Sequence, residues 1–294
     1  MIITKIQGGL GNQMFQYACG HALSLKTKNK LVLDTTWFKQ HSIDTRREFL
    51  LSIFKTSINL AENWQIEIFN QFFKKPFTSL SDKWQKKVLK KVGLIRILEP
   101  GSHQTININT FGAKHILLNG FWQTEEYFKK YEKQIRRDFS FMSPPKSDIK
   151  FWLNKINHTN SISIHIRRED YANNPKTRAY HGLLSLKYYS SAIKLIKTKV
   201  CKPVFFVFSD DLQWVKKNFK ISNKFFYVDH ENQDWEDLRL MSHCQHNIIA
   251  NSSFSWWGAW LNKNKRKIVI APANWYASKS IDSSKITPQS WLKI

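Results

Sequence analysis

A chain of 294 residues, 42% of them hydrophobic, has room for two domains and is too apolar for global disorder. Its formal net charge of +24 favours anionic partners (nucleic acid, anionic lipid or a phosphorylated ligand), but the lysines are scattered, unlike a nucleic-acid footprint. Cys19, Cys201 and Cys244, far apart and odd in number, argue against a disulfide framework and suit a reducing compartment.

The first residues carry no basic start ahead of a long apolar run, so no signal peptide is expected. No stretch approaches the length that spans a bilayer. Ile2–Ile6 predicts a short strand, followed at once by Gly8, Gly9, Gly11, Asn12 and Gln13. A helix is expected from about Met14, with Phe15, Ala18, Ala22 and Leu25 at helical spacing. Leu31–Leu33 predicts a second strand, ending at Asp34. This is a β-loop-α-β unit with a glycine-rich first turn, where the backbone can approach a ligand and the helix start favours negative charge. The third glycine of the dinucleotide fingerprint is missing, so nicotinamide and flavin are not expected.

Residues 44–100 predict mostly helices. Trp64, Ile68, Phe72 and Phe73 recur at helical spacing, and so do Trp84, Val88, Val92 and Ile95, with Lys83, Lys86, Lys87, Lys90 and Lys91 at other positions. The pattern fits a surface helix with its stripe on the core, or a basic amphipathic surface resting on anionic headgroups. His115–Leu118 predicts a strand, Phe121–Trp122–Gln123 a pocket wall or core cluster, and Tyr127–Asp138 a charged helix. Met142–Lys146, with two prolines, is the clearest linker, and a helix around Ile149–Ile156 precedes the next strand. The domains are therefore set at 1–157, with a helical insertion at about 44–100, and 158–294.

In Ser161–Tyr171, Ile162, Ile164 and Ile166 fall on one face and Ser163 and His165 on the other, which is strand spacing. The strand runs into Arg167, Arg168, Glu169 and Asp170. A helix is expected at Leu186–Lys197 and a strand at Val204–Phe208, ending in Ser209-Asp210-Asp211. Further strands are expected at Phe225–Val228, Asn247–Ala250 and Lys267–Ala271, with helices at Trp235–Cys244 and Phe254–Leu261. Repeated β-α-β with short apolar strands predicts a parallel doubly wound sheet, whose ligands bind at the carboxyl ends of the strands. Arg167–Asp170, Ser209–Asp211 and Asn251–Ser253 all follow strands and should cluster.

Arg167 and Arg168 suit a phosphate held bidentately, and Ser252 and Ser253, ahead of a helix, suit a cap or a phosphate contact. Such a site would neutralise charge building on a departing diphosphate. Asp170 is placed to accept a proton or to pair with an arginine. His243, Cys244 and His246 lack regular zinc spacing, and Asp210-Asp211 is explained by a helix dipole, so no metal is expected.

Gly8–Ala18 (Gly-Gly-Leu-Gly-Asn-Gln-Met-Phe-Gln-Tyr-Ala) resembles the opening motif of the bacterial and animal α-1,2-fucosyltransferases, glycosyltransferase family 11. His165–Tyr171 resembles their central motif; Tyr180-His181-Gly182, Tyr188-Tyr189, Phe208–Asp211 and the run Leu240–Asn262 are also similar. The resemblance implies an α/β, GT-B-like fold of two facing Rossmann-like domains with the active site in the cleft, the N-terminal one on the acceptor side. It implies inverting transfer of fucose from GDP-fucose to O2 of a terminal galactose, with no obligatory cofactor or metal. By the same resemblance Arg167, with Arg168 beside it, contacts the diphosphate, and His165 and Asp237 lie near the guanine. Asn251, Ser252 and Ser253 complete the phosphate site, while Asn12, in the loop with Gly9, Gly11 and Gln13, approaches the sugar or acceptor. Asp170 is the expected base, with Glu169 and His165 behind it. The family usually carries Gly at Glu169, which adds a carboxylate near the phosphates. Bacterial relatives build lipid-linked O-antigen units, so a cytoplasmic protein, peripheral on the inner face of the inner membrane, is expected. The alternatives are another nucleotide-sugar-dependent transferase, or a hydrolase or phosphotransferase, with the same anion site. A basic nucleic-acid-binding protein ranks last, because the glycine loop and strand-end motifs have no use in it.

Overall fold

The computed structural model describes every residue except 40–46, 74–90, 92, 100–107, 109–112, 221–223 and 279–280, and the side chains of residues 72, 73, 169 and 170. Two compact units divide at Ser143/Pro144.

The first unit begins with β1 (Ile2–Lys5), α1 (Leu10–Thr27) and β2 (Leu31–Asp34), continues through α2 (Asn63–Phe73), β3 (Leu94–Leu98) and β4 (His115–Asn119), and closes with α3 (Glu132–Asp138). The strands form one parallel sheet in the order β2-β1-β4-β3. Both faces of β1 are covered, which is why it reads as a continuous apolar run rather than an alternation. Ile3 and Val32 pack with Phe69 of α2 on one face. Thr4 faces α1 on the other, so closely that a Cβ on Gly20 would overlap Thr4 Oγ1. The chain leaves β1 for β2 on one side and returns through β4 on the other. The carboxyl ends of β1 and β4 therefore flank the switch point of this sheet, where ligands of such sheets bind.

Three expectations for this unit change. Leu94–Leu98 is a strand, although Ile95 continued a helical stripe: Gly93 turns the chain at φ +66°, and Ile95 and Ile97 then lie in register with Ile116 and Leu118 of β4. The charged segment after Thr124 is two short 3₁₀ turns, Glu125–Tyr127 and Lys129–Tyr131, and only Glu132–Asp138 is α-helical. Helix α1 starts at Leu10 rather than Met14, because Gly9 is the extended residue at its N-cap. Lys83, Trp84, Lys86, Lys87, Val88, Lys90 and Val92 of the expected basic helix lie outside the described residues. Among the described residues no helix is long and apolar enough to cross a membrane.

The second unit contains α4 (Ser147–Asn157), β5 (Asn160–Ile166), α5 (Glu169–Asn173), α6 (Pro175–His181), α7 (Leu186–Lys197), β6 (Pro203–Ser209) and α8 (Leu212–Asn218). It continues with β7 (Phe225–Tyr227), α9 (Trp235–His243), β8 (His246–Ile248), α10 (Ser253–Leu261), β9 (Val269–Ala271) and β10 (Leu292–Lys293). The sheet order is β10-β9-β8-β5-β6-β7, all parallel. Period-two side chains sort the core into two layers. Ile162, Ile164, Ile166, Phe205 and Val207 pack against α7 and α8. Val204, Phe206 and Phe208 pack against α4 and α9 on the opposite face. Burying such side chains stabilises by roughly 1.5–3 kcal/mol each. Ile149 and Ile156 of α4 are fully buried in that second layer. The division consequently falls before α4, not after it at 157/158. Strand β5 runs out to β6 and β7 on one side and has β8 on the other, so the ends of β5 and β8 flank the second switch point.

Candidate active site

At the end of β5, Ile166 is in register with Ser209 of β6, which sets Arg167 opposite Asp210. The Arg167 guanidinium lies 3.1 Å from Asp210 Oδ2, and the Arg168 backbone N–H donates to Asp210 Oδ1 at 2.8 Å. One carboxylate thus fixes both the side chain of the first arginine and the backbone of the second. Arg168 is committed elsewhere. Its guanidinium carbon sits 3.4 Å from the centre of the Trp214 ring, and its Nε lies 3.5 Å from Asp211 Oδ2. Asp211 also caps α8, accepting from Trp214 N at 3.0 Å. The two carboxylates expected to serve only a helix dipole are therefore the counterions of the arginine pair. These four charges are mostly shielded from solvent, so removing one leaves its partner uncompensated.

His165 points to the face opposite the isoleucines and is buried, with its ring 5.9 Å from that of Phe254 on α10. Burial first, and the Arg167 charge second, push its imidazole down to about 3, so it is neutral at physiological pH. Its Nδ1 has no hydrogen-bond partner among the described residues. Ser252 is the extended residue ahead of α10, and its side chain makes no capping bond to the helix. The first-turn N–H groups of α10 lie beside it, at the end of the switch-point strand, where an anion is favoured. Asn251, between them and the strand, is structural. Its buried amide donates to the carbonyls of His181 (2.9 Å) and Trp275 (3.2 Å), while Tyr171 Oη donates to the Asn251 carbonyl at 3.1 Å. Those bonds seat the stacked Tyr171 and His181 rings, 4.8 Å apart, beside the arginine loop. Asp237 lies in the first turn of α9, with Oδ1 2.9 Å from His230 Nε2. That hydrogen bond raises the His230 imidazole above its ordinary value. Glu169 and Asp170 open α5, but their side chains lie outside the described atoms. The strand ends thus bring together His165, Arg167, Arg168, Asn251 and Ser252, with Ser253 starting α10.

In the first unit the glycine loop is braced from within. Gly8 has φ +78°, and a Cβ there would stand 2.9 Å from Asn12 Nδ2. Gln13 is fully buried. Its amide donates to the carbonyls of Gly8 (2.9 Å) and Glu48 (2.8 Å) and accepts from Leu50 N–H (2.9 Å). Gln13 is therefore a clamp on the loop. Asn12 Oδ1 accepts from Gln123 Nε2 at 2.8 Å, tying the loop to the segment after β4. That segment is fixed by Glu99, whose carboxylate accepts from Phe121 N–H (2.5 Å) and Trp122 N–H (3.0 Å). Gly11 is buried in the first turn of α1.

The residues that a metal would draw on, His243, Cys244 and His246, each have a partner of their own. His243 Nδ1 lies 2.8 Å from the Arg239 carbonyl, Cys244 Sγ donates to the Leu240 carbonyl, and His246 Nδ1 accepts from Ile268 N–H at 3.0 Å. Among the described residues no group of three or more His, Cys, Asp or Glu is arranged to hold a metal ion. Sequence reading missed Asp210, Asp211 and Trp214 as partners of the arginines. The available signal was the equal position of Arg167-Arg168 and Asp210-Asp211 after adjacent parallel strands.

The profile of glycosyl transferase family 11 matches residues 100–294. An alpha-1,2-colitosyltransferase of Escherichia coli is 34% identical over 100% of this chain and 99% of its own length. The O-antigen biosynthesis glycosyltransferase WbnK, also of E. coli, is 33% identical over 98% of this chain and 99% of its own. Among solved structures, a point mutant of FUT1 of Arabidopsis thaliana, in complex with GDP, superposes with a TM-score of 0.52. That likeness, at 12% identity over 99% of this chain and 75% of the other, concerns the fold, which is α/β and GT-B-like. With the profile spanning the arginine loop and both later strand ends, and with two relatives matched from end to end, this chain belongs to glycosyl transferase family 11.

Proposed function

We propose that the protein transfers L-fucose from GDP-fucose to O2 of a terminal galactose, with inversion at the anomeric carbon and without an obligatory metal. The observation that carries this reading is the Arg167–Asp210 pair, which holds a guanidinium at the carboxyl end of β5, the strand that flanks the switch point of the second sheet with β8. A guanidinium held in one orientation by a carboxylate is ready for an anion without reorganisation, which suits the charge that grows on GDP as the glycosidic bond breaks. Ser252 and the first N–H groups of α10, with Ser253, take the remaining phosphate oxygens. The neutral imidazole of His165 offers Nδ1 to the base, and Asp237 lies on the guanine side. Arg168 contributes by shaping the loop rather than by binding.

In the transfer step the acceptor hydroxyl attacks opposite the leaving diphosphate and gives its proton to Asp170. Asn12 and the Gly9–Gly11 turn belong to the acceptor side. The acceptor is a galactose-terminated glycan, lipid-linked in the cell, and the protein works at the cytoplasmic face of the membrane. Asp170→Asn is expected to lower kcat by at least a hundredfold, the ordinary lower bound for a general base being about 10²-fold, while GDP affinity stays within twofold. Turnover near wild type would remove Asp170 from that role.

A second donor has specific support, because one of the two relatives matched from end to end is named for colitose. Colitose is fucose without the 3-hydroxyl. If the donor pocket hydrogen-bonds that hydroxyl, GDP-colitose should be rejected by about 10⁴-fold. If the pocket is apolar there, the two donors should differ by about 10²-fold or less. Initial rates with both donors and one acceptor decide between them.

A further inference from the structure

The first sheet has a cavity of about 260 Å³ at its carboxyl edge, on the face covered by α2. Lys5, Asp34 and Asn119, the last residues of β1, β2 and β4, reach it from three neighbouring strands, and Arg96 reaches it from β3. Asn70 and Phe69 of α2 supply the facing wall. None of these residues belongs to the glycine loop or to the second unit. The volume lies just under the ~300–1,000 Å³ of sites for drug-sized ligands, which suits a single small ring.

Asp34 is the informative member. Only 6% of it is exposed. Both contacts to its side chain fall on one oxygen: Thr36 N–H donates to Oδ1 at 2.9 Å, and Thr36 Oγ1 donates to it at 2.6 Å. Oδ2 has no donor among the described residues and is not sealed from solvent, so a ligand hydroxyl can reach it. The lining sets this acceptor beside the donor-bearing side chains of Lys5, Arg96, Asn70 and Asn119 and the apolar side chains of Phe69 and Ile66. A pyranose presents the complement: a rim of hydroxyls, each both donor and acceptor, around a C–H face. The position is the switch point of the sheet, where ligands of doubly wound units bind.

We propose that this cavity is a carbohydrate subsite of the first unit, holding one pyranose ring of the acceptor glycan through Asp34. The proposal rests on the glycosyltransfer reading above and adds the residues that select the acceptor. Its test is binding, independent of turnover. Saturation-transfer NMR and calorimetry on the full chain would use methyl β-D-galactopyranoside, lactose and N-acetyllactosamine, with GDP titrated in parallel. Wild type is expected to bind at least one of these sugars, and Asp34→Asn, which keeps an oxygen for Thr36, should weaken that affinity tenfold or more. Lys5→Gln, at a half-buried position, gives an independent variant if Asp34→Asn fails to fold; it should weaken binding at least threefold. GDP affinity should be unchanged in both. Sugar affinity equal to wild type in the folded variants, or no binding by wild type at tens of millimolar sugar, would overturn the subsite. Loss of GDP binding in wild type would instead overturn the transferase reading.

Discussion

Acidification tests the electrostatics of the arginine loop through His165. The ordinary imidazole titrates near 6.5, and in the folded protein burial and Arg167 push His165 down to about 3. The folded state therefore binds fewer protons at this residue than the unfolded chain does between those two values. The stability it contributes is complete above about pH 7 and is lost as pH falls through 6.5 towards 3. At about pH 5 the unfolded imidazole is protonated by roughly 1.5 pH units of driving force while the folded one is not, which costs about 2 kcal/mol. His165→Gln removes that titration and keeps a neutral polar side chain. Urea unfolding followed by tryptophan fluorescence, at about pH 8 and about pH 5, gives the stability difference between wild type and variant at each pH. The histidines His115, His230 and His246, also shifted, are common to both proteins and cancel to first order. The difference should move by about 2 kcal/mol against wild type on acidification. A difference that stays constant within about 0.5 kcal/mol would refute a buried neutral His165 beside Arg167.

Asp210→Ala should destabilise by roughly 3–5 kcal/mol, because it leaves Arg167 uncompensated and the Arg168 N–H unpaired; thermal unfolding measures it. Arg167→Ala should weaken GDP in calorimetry by about tenfold or more, the loss of a charge-assisted contact being worth roughly 1.5–3 kcal/mol; unchanged affinity would contradict its phosphate role. Gly20→Ala should cost roughly 1–3 kcal/mol by forcing α1 off β1 at Thr4, with kcat retained in the folded fraction.

The strand-end cluster was legible because Ile162, Ile164 and Ile166 alternate cleanly and the β-α-β order puts every strand end on one edge. The pairing of that cluster was not, since nothing local in Ser209-Asp210-Asp211 reveals that Ile166 lies in register with Ser209. Helix dipole and counterion both explain two acids after a strand, and only the register separates them. Ile95 misled because a β-branched residue at helical spacing also fits a strand, and Gly93 decides between the two. Pro144-Pro145 marked the linker, but which unit owns α4 depends on Ile149 and Ile156 reaching Phe206 and Phe208, a non-local contact. Asn251 and Gln13 sit in the expected motifs, and their side-chain amides donate to backbone carbonyls, a use that motif membership does not reveal. In the sequence Asp34 is an acid ending a strand, and its cavity needs residues from four other elements, β1, β3, β4 and α2.

The most direct test of the central claim is a donor-by-acceptor screen on the purified chain, with the product linkage read by NMR. GDP-fucose and GDP-colitose would be paired with methyl β-D-galactopyranoside, lactose and N-acetyllactosamine in the presence of chelator. The account predicts an α-1,2-linked fucosyl-galactose product from GDP-fucose. Transfer only from GDP-colitose, a linkage other than to O2, or donor hydrolysis without transfer would contradict it.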